Sequence, residues 1–261
     1  MLSALRHAPA LVNELRTIIR AHSWRRDYRR LETLRGVGDG RRAFLLGSGP
    51  SLGSMNLALL EGEFVCVVNM GIRAVGSILA HADMHVVTDV NRYRRFAEEI
   101  EEIALKHPIQ YRFLSRRARR IWRHLPRHAS PAPFYLAPHV SKLAEVDTLP
   151  ALKGGVVRAS SVLVTAAVLL EFMGFSPIHV LGCDLDYDSG EKYFYELGGL
   201  DRVHESDPKV IARRPSLVGV DAQFAILSRE FGSRGHAIYN AGLGGNLQSL
   251  PRVGFDSLFP A

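Results

Sequence analysis

The sequence contains few cysteines and no long apolar run, and both absences limit what the protein can be. Only two cysteines, Cys66 and Cys183, occur among 261 residues, and each lies in an apolar run typical of a strand. We therefore expect free, buried thiols in a reducing compartment. No apolar run approaches the roughly 20 residues of a membrane-spanning helix, and no compact apolar segment with a small-residue cleavage site indicates a secretion signal. The expected location is the cytoplasm.

Acidic residues are missing from one basic segment, residues 112–128. Its seven arginines are Arg112, Arg116, Arg117, Arg119, Arg120, Arg123 and Arg127. Such a segment attracts an anionic membrane surface or an acidic glycan, or it is a solvated face without a specific partner. Because no nucleic-acid-reading motif and no interleaved aromatic residues accompany the arginines, we expect no nucleic-acid partner.

Residues 1–35 have apolar side chains at helical spacing with basic residues between them. This pattern predicts an amphipathic helix, which either packs on the core or lies on an anionic membrane surface, where the protein would be peripheral to the inner membrane. The glycines of residues 36–40 predict a flexible hinge. We therefore divide the chain into a basic helical segment, 1–40, and a main domain, 41–261.

The main domain alternates short apolar runs with helical segments, the first of which is predicted at Leu52–Leu60. Strands are predicted at Ala43–Leu46, Phe64–Val68, His85–Val87, Ile109–Leu114, Ile178–Leu181 and Ala237–Tyr239. This alternation predicts an α/β, Rossmann-like, doubly wound and mostly parallel sheet. Residues 187–217 interrupt it with glycines and prolines, and a loop of that length in an α/β domain predicts a lid over a ligand.

Polar residues follow the predicted strands, where open parallel sheets bind their ligands. The first set is Gly47, Ser48, Gly49, Pro50 and Ser51, a turn in which glycines allow a phosphate to approach the backbone. It is neither a P-loop nor the dinucleotide fingerprint, because the lysine and the third glycine are missing. On its own, this turn is compatible with a tight connection that binds nothing.

Further polar residues lie at later strand ends and helix starts. They are Asn69, Asp89, Arg158, Ser160, Ser161, Asp184 and Asp186. Amides and carboxylates at these places can bind a ribose, a base or Mg²⁺, but each residue alone is also a common helix cap. The two serines and Arg158 open an apolar helix whose N-terminus suits an anion.

Taken together, these motifs resemble those of the bacterial sialyltransferases that use CMP-sialic acid, glycosyltransferase family 42, and of the broader group that contains the archaeal 6-hydroxymethylpterin diphosphokinase (MptE-like, DUF115). The resemblance covers residue 43 to the C-terminus. It rests on Gly47-Ser48-Gly49-Pro50-Ser51-Leu52, Asn69, Arg158-Ala159-Ser160-Ser161, Gly182-Cys183-Asp184, Tyr187 and Tyr193. Ser48 and Val162 replace an asparagine and a glycine of the family pattern.

The resemblance implies a CMP-sugar glycosyltransferase of polysaccharide biosynthesis, acting on a cell-surface glycan without a metal. Its nucleotide would contact the residues named above, His204 would be the catalytic base, and Tyr187 and Tyr193 would stabilise the departing phosphate. The acceptor would be an acidic glycan or lipid-linked, and related sialyltransferases are homo-oligomers.

Two alternatives remain open at this point. The first is a Mg²⁺-ATP-dependent diphosphokinase in which Asp89, Asp184 and Asp186 hold the metal. The second is a non-catalytic nucleotide-binding relative that keeps the fold.

Overall fold

The computed structural model describes residues 24–143, 152, 155–186, 193–208 and 217–260. Seven of its strands form the central sheet: β1 (Ala43–Leu46), β2 (Phe64–Val68), β3 (Met84–Val87), β4 (Tyr111–Ser115), β5 (Phe134–Leu136), β8 (Ile178–Leu181) and β9 (Ile238–Asn240). Two more, β6 (Pro138–Lys142) and β7 (Val156–Arg158), pair with each other.

The central sheet has the order β5-β4-β3-β2-β1-β8-β9, and all its strands are parallel. The chain first builds outward from β1 to β5 and then returns to the other side of β1 with β8 and β9. Strand order therefore reverses between β1 and β8, which is the place where doubly wound sheets bind ligands.

Six helices are described in part or in full. They are α1 (24–32), α2 (Val90–Lys106), α3 (Arg119–Arg123), α4 (Val162–Phe172), α5 (Gly199–Glu205) and α6 (Leu217–Gly232). The α/β, Rossmann-like class and the parallel sheet predicted from the sequence are confirmed. No helix in the described residues is long and apolar enough to cross a membrane.

The sheet is buried on both faces, which explains its continuous apolar strands. In β1, Ala43 and Leu45 belong to one hydrophobic cluster and Phe44 and Leu46 to another, because successive side chains point to opposite faces. The first cluster contains α4, whose residues 163–170 are all buried. The N-terminus of this apolar helix is thereby held at the carboxyl edge of the sheet.

The described part of the N-terminal segment packs on the main domain. Trp24, Leu31 and Leu34 join the same hydrophobic cluster as α4. The turn that follows is packed as well, and this corrects the expected hinge. The Gly38 amide donates to the Met173 carbonyl at 2.7 Å, and a Cβ on Gly38 would lie 2.5 Å from the Phe175 ring. Residues 1–23 are outside the described residues.

Local structure differs from the prediction where the apolar pattern is interrupted. The helix predicted at 52–60 is two 3₁₀ turns, Pro50–Ser54 and Leu57–Leu60. Gly53, Ser54 and Asn56 favour turns over a continuous helix. The short strands β5, β6 and β7 were not predicted, because three to five residues beside prolines or glycines give no clear alternation.

Candidate functional site

A cavity of about 400 Å³ opens at the carboxyl ends of β1, β2, β3 and β8, at the reversal of strand order. Most of the predicted site residues line it: Gly47, Ser48, Gly49, Pro50, Asn69, Asp89, Ser160, Ser161, Asp184, Asp186 and Tyr193. Residues that are far apart in sequence therefore meet at one edge of the sheet. Tyr187 is outside the described residues, and of His204 only the backbone, in α5, is described.

The glycines of the first turn let two loops pack against each other. The Gly47 and Gly49 amides donate to the carbonyls of Leu181 and Gly182 at 2.8 and 2.9 Å, which extends the pairing of β1 with β8. A Cβ on Gly47 would lie 2.2 Å from the Gly182 carbonyl oxygen. Only glycine fits there, so the close approach of the two loops is one reason for the motif.

The side chains of Ser51 and Asp184 are hydrogen-bonded to each other next to this turn. The amide and the hydroxyl of Ser51 donate to the two carboxylate oxygens of Asp184 at 2.9 and 2.6 Å. The carboxylate thus occupies the N-terminal end of the 3₁₀ turn Pro50–Ser54, where an anion is stabilised. Ser51, predicted to contact the nucleotide, does not line the cavity, and its donors serve Asp184 instead.

Asn69 has the backbone and side chain of a ligand-binding residue. Its φ is +46°, in the left-handed region that residues other than glycine rarely adopt. Its Oδ1 is buried and has no hydrogen-bond partner within the described part of the chain. Strain and an unpaired buried amide at the wall of a cavity are both costly to the fold, and both are common where a ligand completes the site.

A buried histidine supports Asn69 from below. His85 Nε2 lies 2.8 Å from the Asn69 carbonyl oxygen, so this nitrogen carries the proton and donates. Burial lowers the pKa of His85 to about 3, an effect that the Asn69 carbonyl partly opposes and the Arg112 charge reinforces. The imidazole is therefore neutral at physiological pH and acts as a fixed hydrogen-bond donor.

Two helices begin at the cavity, and predicted residues cap both of them. Asp89 Oδ1 accepts hydrogen bonds from the amides of Asn91 and Arg92 at the start of α2. Ser161 Oγ accepts from the Leu163 amide at the start of α4. Each helix presents its positive end to the cavity, so the caps do not remove the suitability of this wall for an anion.

Ser160 and Arg158 differ in their relation to the cavity. Ser160 is held by Gln223 of α6, which donates to its hydroxyl at 2.8 Å and accepts from its amide at 2.9 Å. Arg158 ends β7 with an exposed side chain and is not among the lining residues. The structure therefore does not bring Arg158 together with the other predicted nucleotide contacts.

Sequence reasoning missed two charged residues of the cavity wall, Arg92 and Glu205. Arg92 Nη2 donates to Glu205 Oε1 at 3.0 Å, and the Tyr193 hydroxyl donates to the same oxygen at 3.0 Å. Burial raises the pKa of Tyr193 to about 12, with Arg92 opposing and Glu205 reinforcing the shift. The one sequence signal that could have placed Arg92 at the cavity is its position three residues after Asp89, which follows a predicted strand.

The described part of the predicted lid, residues 193–208, is attached to the domain by at least three polar contacts. Arg73 donates to both Asp201 oxygens at 3.0 Å and is also paired with Glu99 of α2. The second is the Arg92–Glu205 pair, and in the third the Phe194 amide donates to the Ser48 carbonyl at 3.1 Å. α5 is therefore held against the domain, and its last residue, Glu205, lines the cavity.

The acids at the cavity do not form a metal centre in the described residues. No group of three or more His, Cys, Asp or Glu side chains there is arranged to hold a metal ion. Asp89 and Asp184 are engaged by the contacts given above, and Asp186 also lines the cavity. Cys183 is buried beside them, and burial, followed by the charges of Asp184 and Asp221, raises its pKa to about 12. Its thiol is thus protonated at neutral pH.

The arginine-rich segment serves the fold as well as the surface, which corrects part of the expected basic patch. Arg112 is buried in β4 and paired with Glu101. Arg116 and Arg119 both pair with Asp27 of α1, so they attach the N-terminal segment to the domain. The side chains that remain exposed are Arg117, Arg120, Arg123 and Arg127.

Comparison with known proteins supports this fold at the level of structure. No protein-family model and no curated protein matches the chain. Among solved structures, the MAf glycosyltransferase from Magnetospirillum magneticum AMB-1 is similar with a TM-score of 0.51 and 15% identity, over 88% of this chain and 38% of that one. This chain thus spans well under half of that protein.

The sialyltransferase CstII from Campylobacter jejuni is similar over most of both chains. Its complex with CMP gives a TM-score of 0.51 and 10% identity, over 83% of this chain and 86% of that one. Its complex with CMP-3FNeuAc gives 0.53 and 9%, over 82% and 86%. The chain therefore shares the fold of these solved glycosyltransferases, and this likeness agrees with the fold expected from the motifs.

Proposed function

We propose that this protein is a glycosyltransferase that takes a sugar from a CMP-sugar donor of the sialic acid type, bound in the cavity at the β1–β8 reversal. One observation carries the proposal: Asn69, which lines that cavity, combines a backbone φ of +46° with a buried amide oxygen that has no hydrogen-bond partner among the described residues. An amide that both donates and accepts suits the polar edge of a cytosine or the hydroxyls of a ribose. The CstII sialyltransferase, which has this fold, has been solved with CMP.

The remaining walls suit the phosphate and sugar of such a donor. Ser48 lines one side, and Ser160 and Ser161 lie at the N-terminus of α4 on another. Hydroxyl groups and a helix N-terminus together favour an anion. In this arrangement the nucleotide lies near Asn69 and Asp89, and the phosphate lies between the N-terminus of α4 and Tyr193, which line the same cavity.

The proposed reaction is a direct substitution at the anomeric carbon of the donor. An acceptor hydroxyl forms the new glycosidic bond, the bond from the anomeric carbon to phosphate breaks, and CMP leaves with the electron pair. His204 takes the acceptor proton, and Tyr193, joined by Tyr187, donates hydrogen bonds to the phosphate as its charge grows. The raised pKa of Tyr193, about 12, favours this role because the hydroxyl keeps its proton.

The proposal needs no metal ion. Asp89 accepts two hydrogen bonds on Oδ1, and Asp184 accepts one on each carboxylate oxygen, so three of these four oxygens are engaged in capping. The exposed arginines 117, 120, 123 and 127 favour an acidic glycan or a lipid-linked acceptor.

Calorimetric titration with CMP and with ATP, each with and without Mg²⁺, tests the proposal. We expect CMP to bind equally well with and without the metal, and Asn69→Ala to weaken CMP binding at least about tenfold. Asn56→Ala is the matched control, since Asn56 is exposed and does not line the cavity.

Other outcomes of the titration would redirect the assignment. If ATP bound only with Mg²⁺ and this binding were lost in Asp184→Ala, the assigned reaction would be pyrophosphoryl transfer and not sugar transfer. CMP binding without turnover of any CMP-sugar, unchanged in His204→Ala, would favour a non-catalytic nucleotide-binding protein.

A further inference from the structure

Arg92 is the only lysine or arginine among the described residues that line the cavity. Its guanidinium is nearly buried, with 12% of the side chain exposed, and it donates to Glu205 Oε1. The Tyr193 hydroxyl donates to that same oxygen. One anionic oxygen at the cavity wall therefore receives a guanidinium and a phenol, both at 3.0 Å. This is the donor set that a phosphate oxygen prefers.

The position of Arg92 is unfavourable for the helix that carries it. Arg92 lies in the first turn of α2, where the helix dipole is positive and disfavours a cation. Burial acts in the same direction by opposing its charge, while Tyr193, Tyr195 and Glu205 keep the pKa of Arg92 raised. A guanidinium held at the positive end of a helix concentrates positive potential on the cavity, which suits an anionic ligand.

Besides the Arg92–Glu205 pair, a second ion pair joins α5 to the domain. Arg73 already binds α5 through both oxygens of Asp201, whose side chain is 5% exposed. None of the three residues of that cluster, Arg73, Glu99 and Asp201, lines the cavity. The two ion pairs on α5 thus differ: Arg92–Glu205 lines the cavity and Arg73–Asp201 does not.

We propose that Arg92 joins Tyr193 in binding the donor phosphate, and that the Glu205 carboxylate occupies the phosphate position until the donor arrives. This inference rests on the proposed function, because it takes the ligand to be a nucleotide. Phosphate and carboxylate compete for the same two donors, so binding of the donor breaks the Arg92–Glu205 contact and leaves the Arg73–Asp201 contact intact.

The exchange links donor binding to the lid. Glu205 is the last residue of α5, directly after His204, the predicted base. Release of Glu205 from Arg92 therefore changes the constraint on the end of the helix that carries the base. The expected result is ordered binding, in which the donor enters before the acceptor.

The test compares affinities for cytidine and CMP, measured by calorimetry, in the wild type and in Arg92→Gln, Glu205→Gln and Asp201→Asn. The dissociation constant of cytidine divided by that of CMP isolates the contribution of the phosphate. We expect Arg92→Gln to lower this ratio at least about tenfold with cytidine affinity unchanged, the loss of one charge-assisted hydrogen bond. Glu205→Gln should raise the ratio, because the competing charge is removed. Asp201→Asn is the control on the same helix and should leave the ratio unchanged.

The outcomes separate this inference from the proposed function. An unchanged ratio in Arg92→Gln, or a Glu205→Gln ratio at or below the wild-type value, overturns the inference even where CMP binds well. If the wild type prefers another nucleotide, the proposed donor is wrong, and the ratio for that nucleotide still tests Arg92. If no nucleotide binds, inorganic pyrophosphate is the probe, and equal pyrophosphate affinity in the wild type and Arg92→Gln overturns the inference.

Discussion

His85 Nε2 lies 2.8 Å from the carbonyl oxygen of Asn69, and this contact joins a buried imidazole of β3 to a strained residue at the end of β2. The hydrogen bond requires a neutral imidazole with its proton on Nε2. His179 of β8 is also buried, and burial followed by the charge of Arg42 lowers its pKa to about 4. The folded protein therefore contains two buried histidines that are neutral, and protonation of either one is unfavourable in the folded state.

The first prediction concerns the pH dependence of stability. Both histidines titrate near 6.5 when unfolded and at about 3 and about 4 when folded, so below pH 6.5 the unfolded chain binds more protons. The free energy of unfolding should fall with decreasing pH, by about 1.4 kcal/mol per pH unit for each histidine. His179→Phe should reduce this slope between pH 6 and 4 by the contribution of one proton, about 1.4 kcal/mol per pH unit.

Urea unfolding at several pH values measures these slopes. Phenylalanine fits the site, because His179 stacks between Phe44 and Tyr239 at centroid distances of 5.1 and 5.7 Å. Below about pH 4 the slopes of wild type and variant should become equal, since His179 is then protonated in both the folded and the unfolded chain. Identical slopes between pH 6 and 4 would mean that His179 is protonated in the folded chain.

The second prediction separates backbone strain at Asn69 from its amide. Asn69→Ala and Asn69→Gly both remove the amide, but only alanine keeps a Cβ at a φ of +46°. The alanine variant should be less stable than the glycine variant by about 1 kcal/mol, the cost of the left-handed conformation for a residue with a Cβ. Urea unfolding measures the difference. Equal stabilities would show that the backbone relaxes once the amide is gone, and the strain argument would fail.

The central strands could be predicted from the sequence, and the cavity wall only in part. The bounds of β1, β2 and β8 agree with the predicted runs, because strands buried on both faces are continuously apolar. Asn69, Asp89 and Asp184 could be placed at the cavity since parallel strands end at one edge. The Arg92–Glu205 pair joins residues 113 positions apart, and no local pattern reports such a contact.

The third prediction tests the packing of the first turn. Gly47→Ala would place a Cβ 2.2 Å from the Gly182 carbonyl oxygen, a backbone atom that cannot rotate away. The loops after β1 and β8 must then separate, and we expect a loss of at least about 2 kcal/mol of stability together with weaker nucleotide binding. Gly53→Ala is the control, because a Cβ there meets no atom within 4 Å. Its stability should stay within about 0.5 kcal/mol of the wild type. Equal effects of the two substitutions would contradict the packing argument.

The fourth prediction concerns the pairing of Ser51 with Asp184. If the carboxylate serves mainly to cap the turn, Ser51→Ala and Asp184→Ala should each lower stability by about 1–2 kcal/mol. The double variant should lose less than the sum, because both changes remove the same hydrogen bond between the two side chains. A double-mutant cycle in urea measures the coupling. Strict additivity, with a metal-dependent loss of nucleotide binding in Asp184→Ala alone, would instead assign Asp184 to a metal site.

The fifth prediction follows from the buried position of Arg112, which composition alone placed on a basic surface. Glu101 accepts from Arg112, from the Tyr93 hydroxyl at 2.9 Å and from the Ala129 amide at 2.9 Å, and both charged side chains are 1% exposed. Arg112→Met leaves the carboxylate buried without its cation, so we expect a loss of about 3–5 kcal/mol.

Two further variants identify the cause of that loss. Adding Glu101→Gln to Arg112→Met should recover at least half of the stability, because a neutral amide needs no cation and its oxygen still accepts a hydrogen bond from Tyr93 or Ala129. Arg117→Met, an exposed arginine of the same segment, should change stability by no more than about 0.5 kcal/mol. Thermal and urea unfolding give both values. If Arg112→Met cost no more than Arg117→Met, the pair would contribute nothing to the fold, and Arg112 would belong with the surface arginines after all.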